Sequence, residues 1–223
     1  MKVRTRAIVL KTTPFQESSL IVRLFTRERG KDTFLIKGAL RQKSPTKSFL
    51  QPGEEIEIEY SHVSSKKIFP VYTLRSTNDW KNAFSDIKTT MLLFCFIEIL
   101  DKLYDEKEAD KIIYDDLISS LLLINKSTKG INEIFYWFLF RSLKSAGYDL
   151  SEADDHPIFR GKTKAEIEVF KTLVKKINGV NSPEKILKTK QVFYQLKPFV
   201  PGAISAHIGS LESVSVTKEI FFN

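Results

Sequence analysis

The stretch Glu55-Ile-Glu-Ile-Glu-Tyr60 alternates strictly between carboxylates and side chains that suit a protein core. Successive side chains of a β-strand point to opposite faces, so the alternation predicts a half-buried antiparallel strand. Ile56, Ile58 and Tyr60 are expected on the core side, and the three glutamates are expected to form the wet face. Because the period is two rather than 3.6, this part of the chain is predicted to be β-structure.

Four more segments around this strand have the composition of strands, at residues 3–12, 20–26, 33–37 and 68–74. Residues 27–31 are predicted to form a hairpin connection in which Gly30 takes a positive φ, whereas residues 38–47 lack an apolar period and are expected to form a loop. Pro70 suggests an edge or a bulge in the last strand. Five short strands fit a small barrel, and the five-stranded OB-type barrel is the leading candidate, although the pattern alone does not separate it from another small barrel.

From Trp80 onwards the apolar residues recur at helical spacing. We predict helices over 80–104, 108–125, 131–146 and 164–177, a further helix with Ser182 as its N-cap that is broken by Pro198, Pro201 and Gly202, and a last one over 205–213 and part of 217–222. The sequence therefore predicts an α+β protein of two domains. Residues 1–79 are expected to form a five-stranded OB-type β-barrel, a fold that binds oligonucleotides, and residues 80–223 an all-α domain.

The composition excludes several classes of protein. One cysteine, Cys95, rules out an intrachain disulfide and a zinc site made of cysteines alone. The longest apolar run, from Met91 to Ile97, is far shorter than the roughly 20 residues of a membrane span. The apolar run near the N-terminus, residues 7–10, is too short for a signal peptide. We therefore expect a cytoplasmic protein.

The net charge of +8 is concentrated in the first quarter of the chain. Residues 1–50 contain twelve basic and three acidic side chains, whereas the remaining 173 residues contain 23 basic and 24 acidic ones. A concentrated positive field attracts a polyanion and releases the counterions of that polyanion on contact. A solvated basic face that serves only solubility is the simpler alternative, but the scarcity of carboxylates here favours a nucleic-acid partner.

The basic side chains of this region are the candidate phosphate contacts. They lie in the 38–47 loop and just before it, at the tip of the 27–31 hairpin, and along strand faces: Lys37, Arg41, Lys43 and Lys47; Arg27, Arg29 and Lys31; Arg23, Arg4 and Arg6. Single-strand binders add aromatic platforms for the bases. Phe34 and Phe49, together with Phe15, are the candidates for stacking, with core packing as the alternative for each.

Several short stretches, in order and at matching spacing, resemble the RecO family of bacterial recombination-mediator DNA repair proteins. The strongest resemblance lies at residues 7–11, 17–21, 24–31, 37–41, 43–44 and 50–53. Residues 138–148, which end in Gly-Tyr, are similar to a helix of the family, and residues 206–213 resemble its C-terminal helix more loosely. The resemblance covers the whole chain in layout.

The resemblance implies a non-enzymatic mediator. Such a protein binds single-stranded DNA, and double-stranded DNA more weakly, anneals complementary strands, and works with RecR to load recombinase onto DNA coated by single-stranded-DNA-binding protein. The acidic tail of that coating protein is expected to contact the helical domain, with Arg141 and Lys144 as candidate contacts. The resemblance also implies association with the nucleoid. An RNA-binding OB-fold factor acting in translation or RNA processing is the alternative.

The family's four-cysteine zinc site has no counterpart here, because residues 149–156 contain no cysteine. We therefore expect neither a metal nor another cofactor. No enzyme motif stands out either. The stretch Gly38-Ala-Leu-Arg-Gln-Lys-Ser44 lacks the second glycine of a phosphate loop, and His62, His156 and His207 are far apart in the sequence. Cys95 lies in an apolar run and is expected to be a buried small hydrophobe.

Overall fold

The computed structural model describes residues 2–42, 44–63, 65, 67–77, 80, 85–127, 129–187, 191–209 and 211–213, apart from the side chains of residues 191–193. The chain divides into two compact units. The first unit consists of Met1–Asp79 and Tyr104–Tyr114, and the second of Trp80–Leu103 and Asp115–Asn223. The return of Tyr104–Tyr114 to the first unit is not evident from the periodicity of the sequence, which places these residues among the helices.

The first unit is a closed five-stranded barrel in which the strands follow the order β1-β2-β3-β5-β4 around the wall. Its strands are β1 (Lys2–Phe15), β2 (Ser19–Thr26), β3 (Gly30–Ile36), β4 (Glu55–Ser61) and β5 (Phe69–Ser76). All neighbouring strands are antiparallel except β3 and β5, which pair in parallel and complete the wall. The predicted OB-type barrel is confirmed, and so is the helical character of the second unit.

The first strand has to serve two neighbours, which explains its length of 14 residues. Residues 2–8 pair with β4, and a bulge between Val9 and Lys11 bends the strand so that its second half continues along β2. A bulge adds an unpaired residue and sharpens the local twist, which lets one strand turn a barrel corner. The sequence analysis ends this strand three residues too early, at Thr12.

The interior of the barrel follows the alternation of its strands. Ile56, Ile58 and Tyr60 are buried, as predicted from the opening stretch. The Tyr60 ring lies edge-on to Phe34, with 5.0 Å between their centroids, and 5.7 Å from the centroid of Phe69. These rings join inward aliphatic side chains of β1, β2 and β3 in one core.

The expectation that Glu55 lies on a wet face is wrong, because Glu55 is only 3% exposed. The Tyr114 hydroxyl donates a 2.8 Å hydrogen bond to one of its carboxylate oxygens, and the Thr77 hydroxyl donates a 3.0 Å bond to the other. These donors compensate the cost of burying a carboxylate. Burial and the neighbouring Glu55 carboxylate raise the pKa of Tyr114, so its hydroxyl stays protonated as the donor.

The Tyr104–Tyr114 segment is held in the first unit by an outward-facing ring of β2. Phe25 is fully buried although its strand neighbours Leu24 and Thr26 point the other way. Its centroid lies 5.7 Å from that of Tyr104 and 6.4 Å from that of Tyr114. The backbone N–H of Lys107 also donates a 2.9 Å hydrogen bond to the carbonyl of Lys31 in β3.

The second unit is built from seven helices among the residues that the structure describes. They are α1 (Ile87–Leu103), α2 (Lys111–Lys126), whose first turn still belongs to the first unit, α3 (Ile131–Ser145), α4 (Lys164–Asn178), α5 (Pro183–Ile186), α6 (Gln191–Leu196) and α7 (Val200–His207). The buried faces of α1 and α3 supply much of the core, where the ring centroids of Phe96 and Phe138 lie 4.5 Å apart. Cys95 is buried there, as predicted.

The end of the helical unit differs from the prediction. Pro201 and Gly202 were expected to interrupt a helix, but they lie in the first turn of α7, which begins at Val200 rather than at Ser205. Proline is tolerated there because the first N–H groups of a helix have no intrahelical partner. The predicted helical residues 81–84 and 217–222 lie outside the described residues.

Across the part of the chain that the structure describes, no helix combines the length and the apolarity needed to cross a membrane.

A substitution at Gly30 tests whether the Tyr104–Tyr114 segment packs against the β2–β3 hairpin. It has φ +67°, and a Cβ placed on it would lie 1.8 Å from the carbonyl oxygen of Glu108. We expect Gly30→Ala to lower the free energy of unfolding of the full chain, measured in urea, by more than the roughly 1–2 kcal/mol of a left-handed backbone alone. Gly38→Ala is the matched control, because Gly38 has φ +72° in the same unit and its nearest neighbour is the flexible side chain of Arg41. Equal losses of unfolding free energy in the two variants would contradict the close packing of Glu108 against Gly30.

Candidate nucleic-acid interface

The outer face of β1, β2 and β3 presents basic and apolar side chains in register. Lys11 lies opposite Arg23, which in turn lies opposite Thr33 on β3. The next outward row is Thr13, Ile21 and Leu35. No carboxylate occurs at residues 11–15, 19–23 or 33–36, all of which the structure describes. This part of the wall therefore carries only positive charge.

The 37–47 region continues this positive surface at one end of the barrel. Lys37 directly follows β3, whose last residue, Ile36, pairs with Leu20 near the start of β2. The backbone N–H of Leu40 donates a 2.9 Å hydrogen bond to the carbonyl of Ser18, which fixes this loop beside the turn between β1 and β2. Lys37 and Arg41 are exposed, so their cationic groups are accessible to solvent.

The predicted 38–47 loop is partly ordered as a 3-10 helix, Pro45–Phe49. The Ser44 hydroxyl caps this helix by accepting from the N–H of Thr46 at 3.3 Å. Lys47 is exposed on it. Lys43, the fourth basic residue predicted for this loop, lies outside the described residues.

Phe15 is the aromatic side chain best placed beside these cations. It ends β1 opposite Ser19, in the row that follows Thr13 and Ile21, and it is 38% exposed. We use the term basic face for Lys11, Phe15, Arg23, Lys37 and Arg41 together. It combines cations that can contact phosphates with a ring on which a base can stack.

Phe34, a predicted stacking residue, is excluded from that role because it is fully buried in the barrel core. Its ring contacts Tyr60 and Phe69, so contact with a base would require the barrel to open. Phe49 is half-buried and packs against the same core.

Arg4 and Arg6 lie on a different part of the barrel wall. In the pairing of β1 with β4 they face Glu59 and Glu57, and Arg4 forms an ion pair with Glu57. Arg75 of β5 lies on the other side of Glu57. The hydrogen bond between Arg4 and Glu57 raises the pKa of the guanidinium and lowers the pKa of the carboxyl group. Carboxylates therefore offset the positive charge of this patch.

Arg27, Arg29 and Lys31 lie at the far end of the β2–β3 hairpin. The eight residues of β2 separate this end from the 37–47 region, a length of about 23 Å at the usual rise of a strand. Arg29 forms a 3.2 Å ion pair with Asp32, whose side chain is almost completely buried. Lys31 forms a β-bridge with Glu106. The nine predicted basic residues that the structure describes therefore do not form one continuous track.

Arg141 of the second unit is a structural residue rather than an accessible contact for an acidic tail. Its side chain is 10% exposed and forms a 2.6 Å ion pair with Asp116, whose side chain is 9% exposed. The same guanidinium donates to the carbonyls of Asn178 and Val180 and lies over the Trp137 ring, 5.1 Å from its centroid. Lys144 is 52% exposed and pairs with Asp149 at 2.9 Å.

Residues 149–161 are held by packing and ion pairs. Asp149 accepts from Ser151, and the segment contacts α4 through the pairs Asp154–Lys171 and Glu152–Lys175. Phe159 lies edge-on to both Phe170 and Phe199. Among the described residues there is no group of three or more histidine, cysteine or carboxylate side chains that could bind a metal ion.

The two histidines of this region also contribute to the packing. His156 caps the 3-10 helix Pro157–Phe159 by accepting from the N–H of Ile158. Its ring stacks on His207, with 4.9 Å between centroids, and His207 contacts Tyr148 on its other side. Burial and the neighbouring His156 lower the pKa of His207, which favours its neutral form in this stack.

Sequence reasoning missed Lys11 and left Phe15 unresolved among three phenylalanines. Both are exposed on the outer side of β1 beyond the bulge, and the bulge changes which residues face outward. Lys11 can be assigned to the outer face only when the strand register after the Val9/Lys11 bulge is known.

Comparison with known protein families gives two matches. Residues 1–76 match the family described as Recombination protein O N terminal, and residues 84–156 match the family described as Recombination protein O C terminal. Three curated relatives are each named DNA repair protein RecO. The Clostridium kluyveri protein is 26% identical over 66% of this chain, the Polynucleobacter asymbioticus protein 27% over 69%, and the Flavobacterium johnsoniae protein 25% over 99%. The alignments span 57%, 64% and 100% of these proteins, respectively, so the match to the first two covers little more than half of their length.

The buried pair of the second unit gives a test that separates a structural role from tail binding. We expect Arg141→Ala to reduce the free energy of unfolding of the full chain by about 3–5 kcal/mol, because Asp116 would keep a buried charge without its partner. Lys144→Ala removes a half-exposed pair and should cost less than about 1 kcal/mol. Urea titrations followed by circular dichroism measure both. A loss for Arg141→Ala as small as that for Lys144→Ala would show that the pair does not stabilise the unit.

Proposed function

Because this chain belongs to the RecO family, we propose that it is a DNA-repair protein whose barrel binds single-stranded DNA on the basic face. The observation that supports this most directly is the row Lys11–Arg23–Thr33, next to Phe15 and the 37–47 region. This surface has cations, an accessible ring and no carboxylate at its strand positions. The names of the curated relatives, DNA repair protein RecO, agree with this role.

The pairing of Lys11 with Arg23 places two cations directly opposite one another on neighbouring strands. Like charges directly opposite one another on neighbouring strands destabilise a sheet. A phosphate backbone that lies along this row relieves the repulsion and releases its own counterions. Both cations are therefore positioned to contact the same phosphate backbone.

The aromatic and apolar part of the basic face favours single strands. Unstacked bases can lie on Phe15 and against the half-buried Ile21 and Leu35, whereas the paired bases of a duplex leave only the phosphates for contact. Double-stranded DNA then binds through the cations alone, and more weakly. Contacts of this kind are independent of base sequence.

Annealing follows from the same electrostatics. A cationic surface that screens two phosphate backbones lowers the repulsion between complementary strands. The role involves no covalent step, so the protein acts as a mediator and not as an enzyme. The proposed location of the protein is the cytoplasm, in association with the nucleoid.

The remaining parts of the proposal rest on family membership. They are cooperation with RecR, contact with the tail of single-stranded-DNA-binding protein, and loading of recombinase onto DNA coated by that protein. The second unit is the proposed partner-binding part. Because Arg141 is buried and paired within its own unit, Lys144 is the member of the predicted pair that remains accessible for the tail contact.

The decisive variant removes three cations of the basic face, Lys11→Ala, Lys37→Ala and Arg41→Ala. We expect weaker binding of single-stranded DNA and a salt dependence that is flatter by about 0.7 in logarithmic slope for each lost phosphate contact, or about 2 in total. Fluorescence anisotropy of a labelled oligonucleotide over a salt series measures both.

The matched control is Arg4→Ala, Arg6→Ala and Arg75→Ala, which removes the same charge from the wall that carries Glu57 and Glu59. We expect only a small, uniform loss of affinity from the lower net charge. A larger loss in the control would place the DNA on the other wall, and an equal loss would show that only the net charge matters; either result contradicts binding on the basic face. Competition between DNA and RNA of equal length distinguishes repair from the RNA-binding alternative.

Phe15 gives an independent test of base stacking. We expect Phe15→Ala to weaken single-strand binding by about 1–3 kcal/mol, the usual contribution of one stacked base, without changing the salt slope, because no charge is lost. Tyr72→Ala is the control, since Tyr72 is an exposed aromatic residue on β5. Loss of affinity in Tyr72→Ala but not in Phe15→Ala would move the stacking site away from the basic face.

A further inference from the structure

The far end of the β2–β3 hairpin carries three cations that the basic face does not include. Arg27, Arg29 and Lys31 flank the turn, and the Tyr104–Tyr114 segment contacts this end of the hairpin at Gly30 and Lys31. Glu106 bridges to Lys31, and the N–H of Lys107 donates to the Lys31 carbonyl at 2.9 Å.

This segment brings a dense negative charge to the hairpin. Its six residues 105–110 contain four carboxylates and one cation: Asp105, Glu106, Glu108 and Asp110, with Lys107. All of them except the half-buried Asp110 are exposed, so their charges face solvent. Glu28 and Asp32 add two more carboxylates within the hairpin itself. The hairpin end with its docked segment is therefore net negative, whereas the 37–47 end is positive.

The docked position of the acidic segment is built into the fold. Phe25 is buried under Tyr104 and Tyr114, and the backbone of Glu108 passes so close to Gly30 that no side chain fits there. Lys107 adopts a left-handed backbone with φ 67°, which costs free energy for a residue other than glycine. The carboxylates are consequently held at the hairpin by apolar packing and backbone contacts, not by attraction to its cations alone.

We propose that residues 105–110 form an acidic boundary that keeps DNA away from the hairpin cations and so sets one end of the DNA footprint on the barrel. The inference rests on the proposed function, because it concerns the same DNA and the same barrel wall. A strand that follows the basic face along β2 meets this negative charge at Arg27, Arg29 and Lys31. Phosphates beyond that point are repelled, although three cations lie within reach.

Glu106→Gln with Glu108→Gln tests the boundary. The changes are isosteric, and a glutamine carbonyl at 108 can still accept the N–H of Asp105, as Glu108 does at 3.2 Å. Asp110 is left unchanged because it caps α2 through Ile113. We expect binding of a long single strand to tighten about two- to fivefold at low salt, from removal of two nearby like charges. The salt slope should steepen by about 0.7 for each hairpin cation that gains a phosphate, and the site size should grow.

The matched control is Glu168→Gln with Glu184→Gln. These are two exposed carboxylates of the second unit, so the net charge changes by the same amount. If the control tightens binding equally, the effect is one of net charge and the boundary is wrong. A third variant, Arg27→Ala with Lys31→Ala, removes two of the hairpin cations. It should leave wild-type binding almost unchanged and abolish the gain in the Glu106→Gln, Glu108→Gln background.

The outcomes separate this inference from the proposed function. If the wild-type chain binds single-stranded DNA with a salt dependence that the basic-face variant flattens, the proposed function stands. Unchanged affinity and site size in Glu106→Gln, Glu108→Gln then overturn the boundary alone. If the wild-type chain does not bind DNA, both fail together. Circular dichroism and a urea titration of each variant confirm that the fold is retained.

Discussion

The burial of Phe25 is the constraint on which much of the first unit depends. A phenylalanine on the outer side of a closed barrel has no core to enter, and burying such a ring is worth about 1.5–3 kcal/mol. Tyr104 and Tyr114 supply the cover, so a segment more than seventy residues away in sequence returns to the barrel. The same return brings the Tyr114 hydroxyl to the buried Glu55, which would otherwise lack this donor.

The Tyr104–Tyr114 segment, which buries Phe25, also affects how charge is distributed along the barrel. Apolar packing fixes a segment with four carboxylates beside the hairpin cations, and the antiparallel pairing of β1 with β4 places Arg4 and Arg6 next to Glu57 and Glu59. By contrast, the wall formed by residues 11–15, 19–23 and 33–36 and the adjoining 37–47 region contain basic side chains and no carboxylate. Proximity to carboxylates, rather than the count of basic residues, thus distinguishes the candidate interface.

The candidate site could be predicted only in part. The exposure of Lys37, Arg41 and Lys47 is predictable, because a basic, aperiodic loop between two strands lies at the surface. Arg141 was misassigned because its partners, Asp116 and the carbonyls of Asn178 and Val180, are distant in sequence and leave no local pattern. Phe34 was misassigned for the same reason, since alternation places it on one face of β3 but does not say which face is the interior.

The strands, most of the helices and the concentration of positive charge in the first fifty residues could be predicted from the amino-acid sequence alone. Period-two and period-3.6 patterns are local, and they follow from the geometry of the backbone. The bulge that turns Lys11 outward, the burial of Glu55, and the division of the cations into a basic face and two groups beside carboxylates depend on the tertiary structure. These features depend on which distant residues share a wall, because charge and hydrogen bonding act through space and not along the chain.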